Sequence, residues 1–176
     1  MPDLLFKDLT SAHETLCEKL SVLSAPVFEF QPAPEKWSPA QHGKHILKSI
    51  RPVAQGLSLP LFVPRLLFGP PKHEPMNYDR VVKQYQKKLA EGLVAPAPFI
   101  PKKVTLAERD VLLATIRSTT AALVKDASKR SDTQLDGVCF PHPSLGRISI
   151  REMLFFSLYH VRHHTLAIEK LVAEAC

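Results

Sequence analysis

The chain has 176 residues, 45% of them hydrophobic, and 23 Lys and Arg against 17 Asp and Glu give a formal net charge of +6. That length and composition predict one domain, residues 1–176, with a sizeable core, and exclude a disordered chain. The basic residues, among them Lys83, Lys87, Lys88, Lys102, Lys103, Lys129 and Arg130, stand between acids instead of forming one tract, so a solvated face is expected and nucleic acid is not an expected partner.

At the N-terminus, MPDLLFKDL lacks the basic flank, apolar centre and small-residue cleavage site of a secretory signal. No uncharged apolar run anywhere approaches the ~20 residues of a spanning helix, so no membrane span is expected. Cys17, Cys139 and Cys176 are odd in number and lack CxxC spacing, which argues against a disulfide framework or a cysteine zinc site and fits a reducing, cytoplasmic setting.

The first helix follows from Leu5, Leu9, His13, Leu16, Leu20 and Leu23, spaced three or four apart and ending before Pro26. Ser38, Pro39 and Gln41 form a capping box with proline at the first helical position, so a second helix starts there. Five prolines interrupt the next apolar run, Leu57 to Pro75, which predicts a broken helix or a wrapped loop. A shorter helix spans Asn77 to about Glu91. Two more boxes, Thr105 with Glu108 and Ser149 with Glu152, open long helices reaching about Ser128 and Ala175. No segment alternates with period two, so no sheet is expected and the class is all-α.

The stretch YHVRHH closes the chemistry-bearing part of the last helix. At ~100° per residue, Met153, Ser157, His160, His164, Ile168 and Leu171 share one buried arc, and His163 falls at its rim. A pair at i and i+4 can share one metal ion, as in the HExxH helix, but no glutamate follows His160, which excludes the zincin mechanism. The same pair could equally be core residues with local hydrogen bonds. On the second helix His42 and His45 could each point inward, His45 from almost two turns in, where facing helices of a bundle assemble metal sites.

The segments EKWSPAQHGKHILKSI and SIREMLFFSLYHVRHHTLAIEKL resemble the second and final helices of the DinB-like (DinB/YfiT) superfamily of four-helix metalloproteins. The resemblance implies an up-and-down four-helix bundle, here with an irregular proline-rich insert at Leu57–Pro75. It maps the ligand set onto His45, His160 and His164, holding a divalent cation: zinc foremost, nickel or iron next. It also implies a homodimer and a metal-dependent transferase or hydrolase acting on a small molecule, with a low-molecular-weight thiol as a partner. Gln41 and Ala167 depart from the family's usual Glu and Gln. FPHPSLGRIS resembles a subfamily's HP-x-x-G loop, which would bring His142 over the metal, although its prolines and glycine also suit a plain turn. Candidates for moving protons are His163, His142 and Tyr159. The competing reading is a non-catalytic metal- or ligand-binding bundle, or a structural homodimer with a vestigial site, and a fourth ligand from His13 or His42 would favour it. Trp37 is expected to pack as a hydrophobic staple, and Tyr78, Tyr85, Phe155 and Phe156 to be core or dimer contacts.

Overall fold

The structure, a computed structural model, describes residues 2–175. Helix α1 (Pro2–Ser21) buries Leu9, Leu16 and Leu20 completely. A single turn, α2 (Ala25–Phe28), plugs the core with Phe28. Helix α3 (Pro39–Ser58) begins at the expected box: the Ser38 hydroxyl accepts from the Gln41 N–H at 3.2 Å, and the Gln41 side-chain oxygen accepts from the Ser38 N–H at 3.0 Å. The proline-rich run is a broken helix. It finishes α3, turns at Pro60, forms α4 (Phe62–Phe68) and then has no regular structure up to α5 (Tyr78–Ala90), whose first turn is capped by the Asn77 side chain.

Helix α6 (Arg109–Ser128) starts after a 3-10 turn in which the Glu108 carboxylate accepts from the Thr105 N–H at 2.9 Å. A short α7 (Asp132–Gly137) has a Ser131–Gln134 box that the sequence reading did not single out. It leads into the one departure from the all-helical expectation among the described residues, a hairpin of β1 (Cys139–His142) and β2 (Gly146–Ser149). Its strands have four residues each, too few for a period-two pattern to emerge, and Gly146 supplies the positive φ of 75° that the turn needs. Helix α8 (Ile150–Ala175) follows at once, opened by the Ser149–Glu152 box.

The four long helices α1, α3, α6 and α8 form the expected four-helix bundle, but chain order is not ring order. α6 and α8 each pack on both α1 and α3, while α1 and α3 touch only a little. Directions follow from paired residues. Glu14 meets Arg117 and Cys17 meets Leu113, so α1 and α6 are antiparallel. Asp8 meets Arg162 and Lys19 meets Glu169, so α1 and α8 are parallel. Gly43 lies by Leu112, and Arg130, just past α6, bonds the Leu57 carbonyl, so α3 and α6 run the same way. Where an up-and-down bundle alternates, this one runs up, down, down, up. The physical reason is the long connection from Leu59 to Glu108, which carries the chain back along the bundle before α6 begins.

Cys17 and Cys139 are free and buried, whereas Cys176 lies outside the described residues. No described helix is long and apolar enough to cross a membrane.

Candidate metal centre

The antiparallel packing of α3 on α8 sets His45 opposite His160, and His42 opposite His164. His45 Nε2 lies 3.2 Å from His160 Nε2, and His164 Nε2 lies 3.1 Å from the same atom. All three rings are buried, and these residues form a group whose ligand atoms lie within 4.8 Å of one another. Two nitrogens held about 2.1 Å from one ion, at angles between tetrahedral and octahedral, stand about 3.0 to 3.4 Å apart, so the observed spacing fits a shared cation.

Proton counting points the same way. His45 Nδ1 lies 2.8 Å from the Phe99 carbonyl oxygen. A carbonyl only accepts, so the ring proton is on Nδ1 and Nε2 presents a lone pair. His164 Nδ1 lies 2.7 Å from His42 Nδ1. A proton on the former, donated to the latter, leaves His164 Nε2 as a second lone pair. Burial holds all three rings in the neutral form: His45 below its ordinary value, and His160 and His164 well below it, with the neighbouring histidines adding repulsion. One proton on His160 Nε2 cannot point along both short contacts, whereas one cation accepts all three lone pairs. The outer bonds to Phe99 and His42 are of the kind that orient imidazoles toward a metal.

Above the rings lies Trp37. Its ring is 4.7 Å from that of His45, 5.6 Å from His42 and stacked 6.1 Å from His164. The staple expected of Trp37 is therefore present, since His42 is the fourth helical residue of α3, and it doubles as a roof on the cluster. Phe156 stacks beneath His160 at 4.8 Å, and Tyr85 meets both Phe156 and His160 edge-on. The three histidines open into a cavity of about 510 Å3 bounded by α3, α8, α5, the hairpin and the proline-rich segment.

The remaining candidates separate. His142 is buried and lines the cavity, its ring 4.2 Å from Phe156, and burial lowers its pKa to about 4. His163 is half-buried at the rim, its ring 5.2 Å from that of His164. Tyr159 does not line the cavity; its hydroxyl meets Gln86 on α5. His13 is buried on α1, where Nδ1 donates to the Leu9 carbonyl and Nε2 has no partner among the described residues, and it is not in the three-histidine group. His42 engages the far nitrogen of His164 rather than the group itself. Phe156 and Tyr85, expected as core or dimer contacts, are walls of the site. Helical spacing marks them as inward, but it does not distinguish a packed interior from a hollow one.

Three solved structures share the fold. YfiT from Bacillus subtilis, described as a probable metal-dependent hydrolase with an unusual four-helix bundle topology, is 16% identical over 99% of this chain and 87% of its own, with a TM-score of 0.67. A conserved protein from Enterococcus faecalis is 17% identical over 99% of this chain and 98% of its own, TM-score 0.62. The four-helix bundle protein TT2238 is 19% identical over 97% and 99%, TM-score 0.60. No curated protein matches. The sequence pattern of one family, described as the DinB superfamily, matches residues 9–168, a span that takes in α3 and α6 whole, most of α1 and α8 and every histidine of the cluster, and the chain therefore belongs to the DinB superfamily.

Proposed function

We propose that the protein is a metal-dependent hydrolase or transferase acting on a small molecule, with His45, His160 and His164 as the ligands of one divalent cation. Zinc is the cation we assign, and nickel and iron(II) also suit three imidazoles. The observation that carries the reading is the convergence of three buried, neutral ring nitrogens at the edge of a cavity. Three protein ligands leave a position for substrate, as catalytic sites do, and neither His13 nor His42 joins the group to close it. Bound there, the cation supplies Lewis acidity toward a carbonyl, a water or a low-molecular-weight thiol.

The chain's own residues do the rest. The Phe99 carbonyl and His42 hold the ligand rings in their tautomers. Trp37 and Phe156 cover the cluster and keep bulk water off it. His163, at the rim between cavity and solvent, is placed to relay a proton. The description of YfiT as a probable metal-dependent hydrolase supports the same reading.

Elemental analysis of protein prepared without an affinity tag tests the assignment. About one equivalent of metal per chain is expected. It should be lost in His45→Ala, His160→Ala and His164→Ala and kept in His163→Ala. Full metal content in any of the three ligand variants overturns the ligand set. Ester-hydrolysis and thiol-transfer assays with and without chelator then separate catalysis from mere binding.

A further inference from the structure

The chemistry of the cavity beyond the histidines specifies what it can hold. In a chain where 23% of residues are charged, its lining contains no Asp, Glu, Lys or Arg. The walls are Val53, Leu67, Leu89, Phe140, Met153 and Phe156 among other apolar groups. A charged ligand group placed there would lose its water without meeting a counter-charge. The volume of about 510 Å3 is that of a site for one small organic molecule.

Besides the histidines of α3 and α8, Ser49, Ser144 and the Trp37 indole, the lining carries two polar rings, His142 and Tyr85, held in a specific way. His142 Nδ1 accepts the backbone N–H groups of Ser144 at 3.2 Å and Leu145 at 3.1 Å. The ring proton is therefore on Nε2, for which no described residue is a hydrogen-bond partner. The Tyr85 hydroxyl is likewise without one. The two rings meet edge-on at 6.2 Å, and both pack on Phe156, the ring that stacks on His160. Two side chains with neutral donors thus line the cavity beside the histidine cluster, Tyr85 directly against His160 and His142 one ring away.

We propose that the cavity takes an uncharged alkyl or aryl compound with a single carbonyl, whose oxygen accepts hydrogen bonds from His142 Nε2–H and the Tyr85 hydroxyl while its apolar body fills the space beneath α4. The placement of that carbonyl toward the cation rests on the proposed metal-dependent function. The apolar class and the two donors do not. Neutral donors suit a neutral oxygen on which negative charge develops during attack. By the same argument, a thiol bearing charged groups would keep those groups outside.

Trp37 is the lone tryptophan and lines the cavity, so its fluorescence reports occupancy. The test titrates zinc-loaded and chelator-treated full-length protein with three probes: 1-phenylpentan-1-one, pentylbenzene, and the same ketone with a sulfonate at the end of its chain. The ketone should bind about tenfold tighter than the hydrocarbon in both states, the worth of a hydrogen bond to a buried donor. The sulfonate should bind at least tenfold more weakly than the ketone.

Tyr85→Phe should erase most of the ketone's advantage and leave pentylbenzene unchanged. His142→Asn should do the same, because an asparagine oxygen can still accept the two turn N–H groups but its side chain does not reach as far. Leu67 is 66% exposed, so Leu67→Asp tolerates the change, and it should weaken both apolar probes without altering zinc content. Equal binding of ketone and sulfonate, or a ketone advantage that survives both donor variants, overturns this inference even if zinc is bound. Absence of zinc with the ketone preference intact would instead overturn the metal-dependent function alone.

Discussion

Helices α1 and α6 contribute no residue to the cavity, whereas α3 and α8 carry all three converging histidines and much of its wall. The first pair is conventional core. Leu9, Leu16, Leu20 and Ile116 are wholly buried, and a two-pronged bond from Arg117 to Glu14 spans the outside. The second pair keeps Gln41, His45, Ser157, His160, His164 and Thr165 inside. Three ring nitrogens converging with no more than one proton among them are not held by hydrogen bonds alone and would swing apart in a loosely packed interior. The apolar pair supplies the stiffness that holds them together. The halves interlock at Gly43, where a Cβ would lie 2.7 Å from the Leu20 side chain, so only glycine lets α3 sit this close without displacing that leucine.

If scaffold and site are separable in this way, damage to the scaffold should cost stability and spare the metal. Ile116→Ala truncates a wholly buried side chain on α6 and should destabilise by about 2 to 5 kcal/mol. Urea unfolding reads the loss, and elemental analysis of the same folded sample should still give the wild-type metal content. A parallel loss of metal would break the comparison.

Two buried polar side chains interrupt the scaffold, Thr120 on α6 and His13 on α1, and the latter is an imidazole whose pKa burial lowers from 6.5 to about 4. Between those values the unfolded chain binds a proton that the folded one refuses, so stability rises with pH across the window. The full contribution is present above about pH 6.5 and is lost as pH falls toward 4, on the order of 3 kcal/mol. Urea midpoints of chelator-treated wild type and His13→Met at pH 7 and pH 4 check this. The variant should lose part of the acid sensitivity, and an unchanged slope would place all of it on α3, α8 and the hairpin.

The two halves were also unequally legible in the sequence. Capping boxes at Ser38–Gln41 and Ser149–Glu152 involve residues three apart, so local pattern suffices to find them. The inward arc shared by His160 and His164 follows from helical pitch alone. That His45 faces them depends on α3 and α8 running antiparallel, which no local pattern states; the family resemblance, not the periodicity, singled it out. The direction of α6, the four-residue strands and the carbonyl of Phe99 were invisible for the same reason, being products of long-range packing. Helical spacing makes Tyr85 and Phe156 core or dimer contacts and does not mark them as cavity walls, because amphipathicity records burial and is silent about voids.

Glu152 joins the site half to its cover and yields the smallest and most local of these effects. Only 1% exposed, its carboxylate accepts from the Ser149 N–H at 2.7 Å, opening α8, and from the Met76 N–H at 2.8 Å and His73 Nε2 at 3.0 Å, tying down the far end of the proline-rich segment. Sequence pattern exposed only the first of these roles. Glu152→Gln keeps the shape but turns one acceptor into a donor facing another donor, which should cost about 1 to 3 kcal/mol. The loss should be distributed unevenly. Hydrogen exchange at the Met76 amide and proteolysis within residues 69–77 should accelerate, while exchange in the middle of α1 and α6 and the metal content stay as in wild type. Uniform acceleration across all four long helices would mean that the cover and the scaffold unfold as one unit, and that the division drawn between the two helix pairs is not an energetic one.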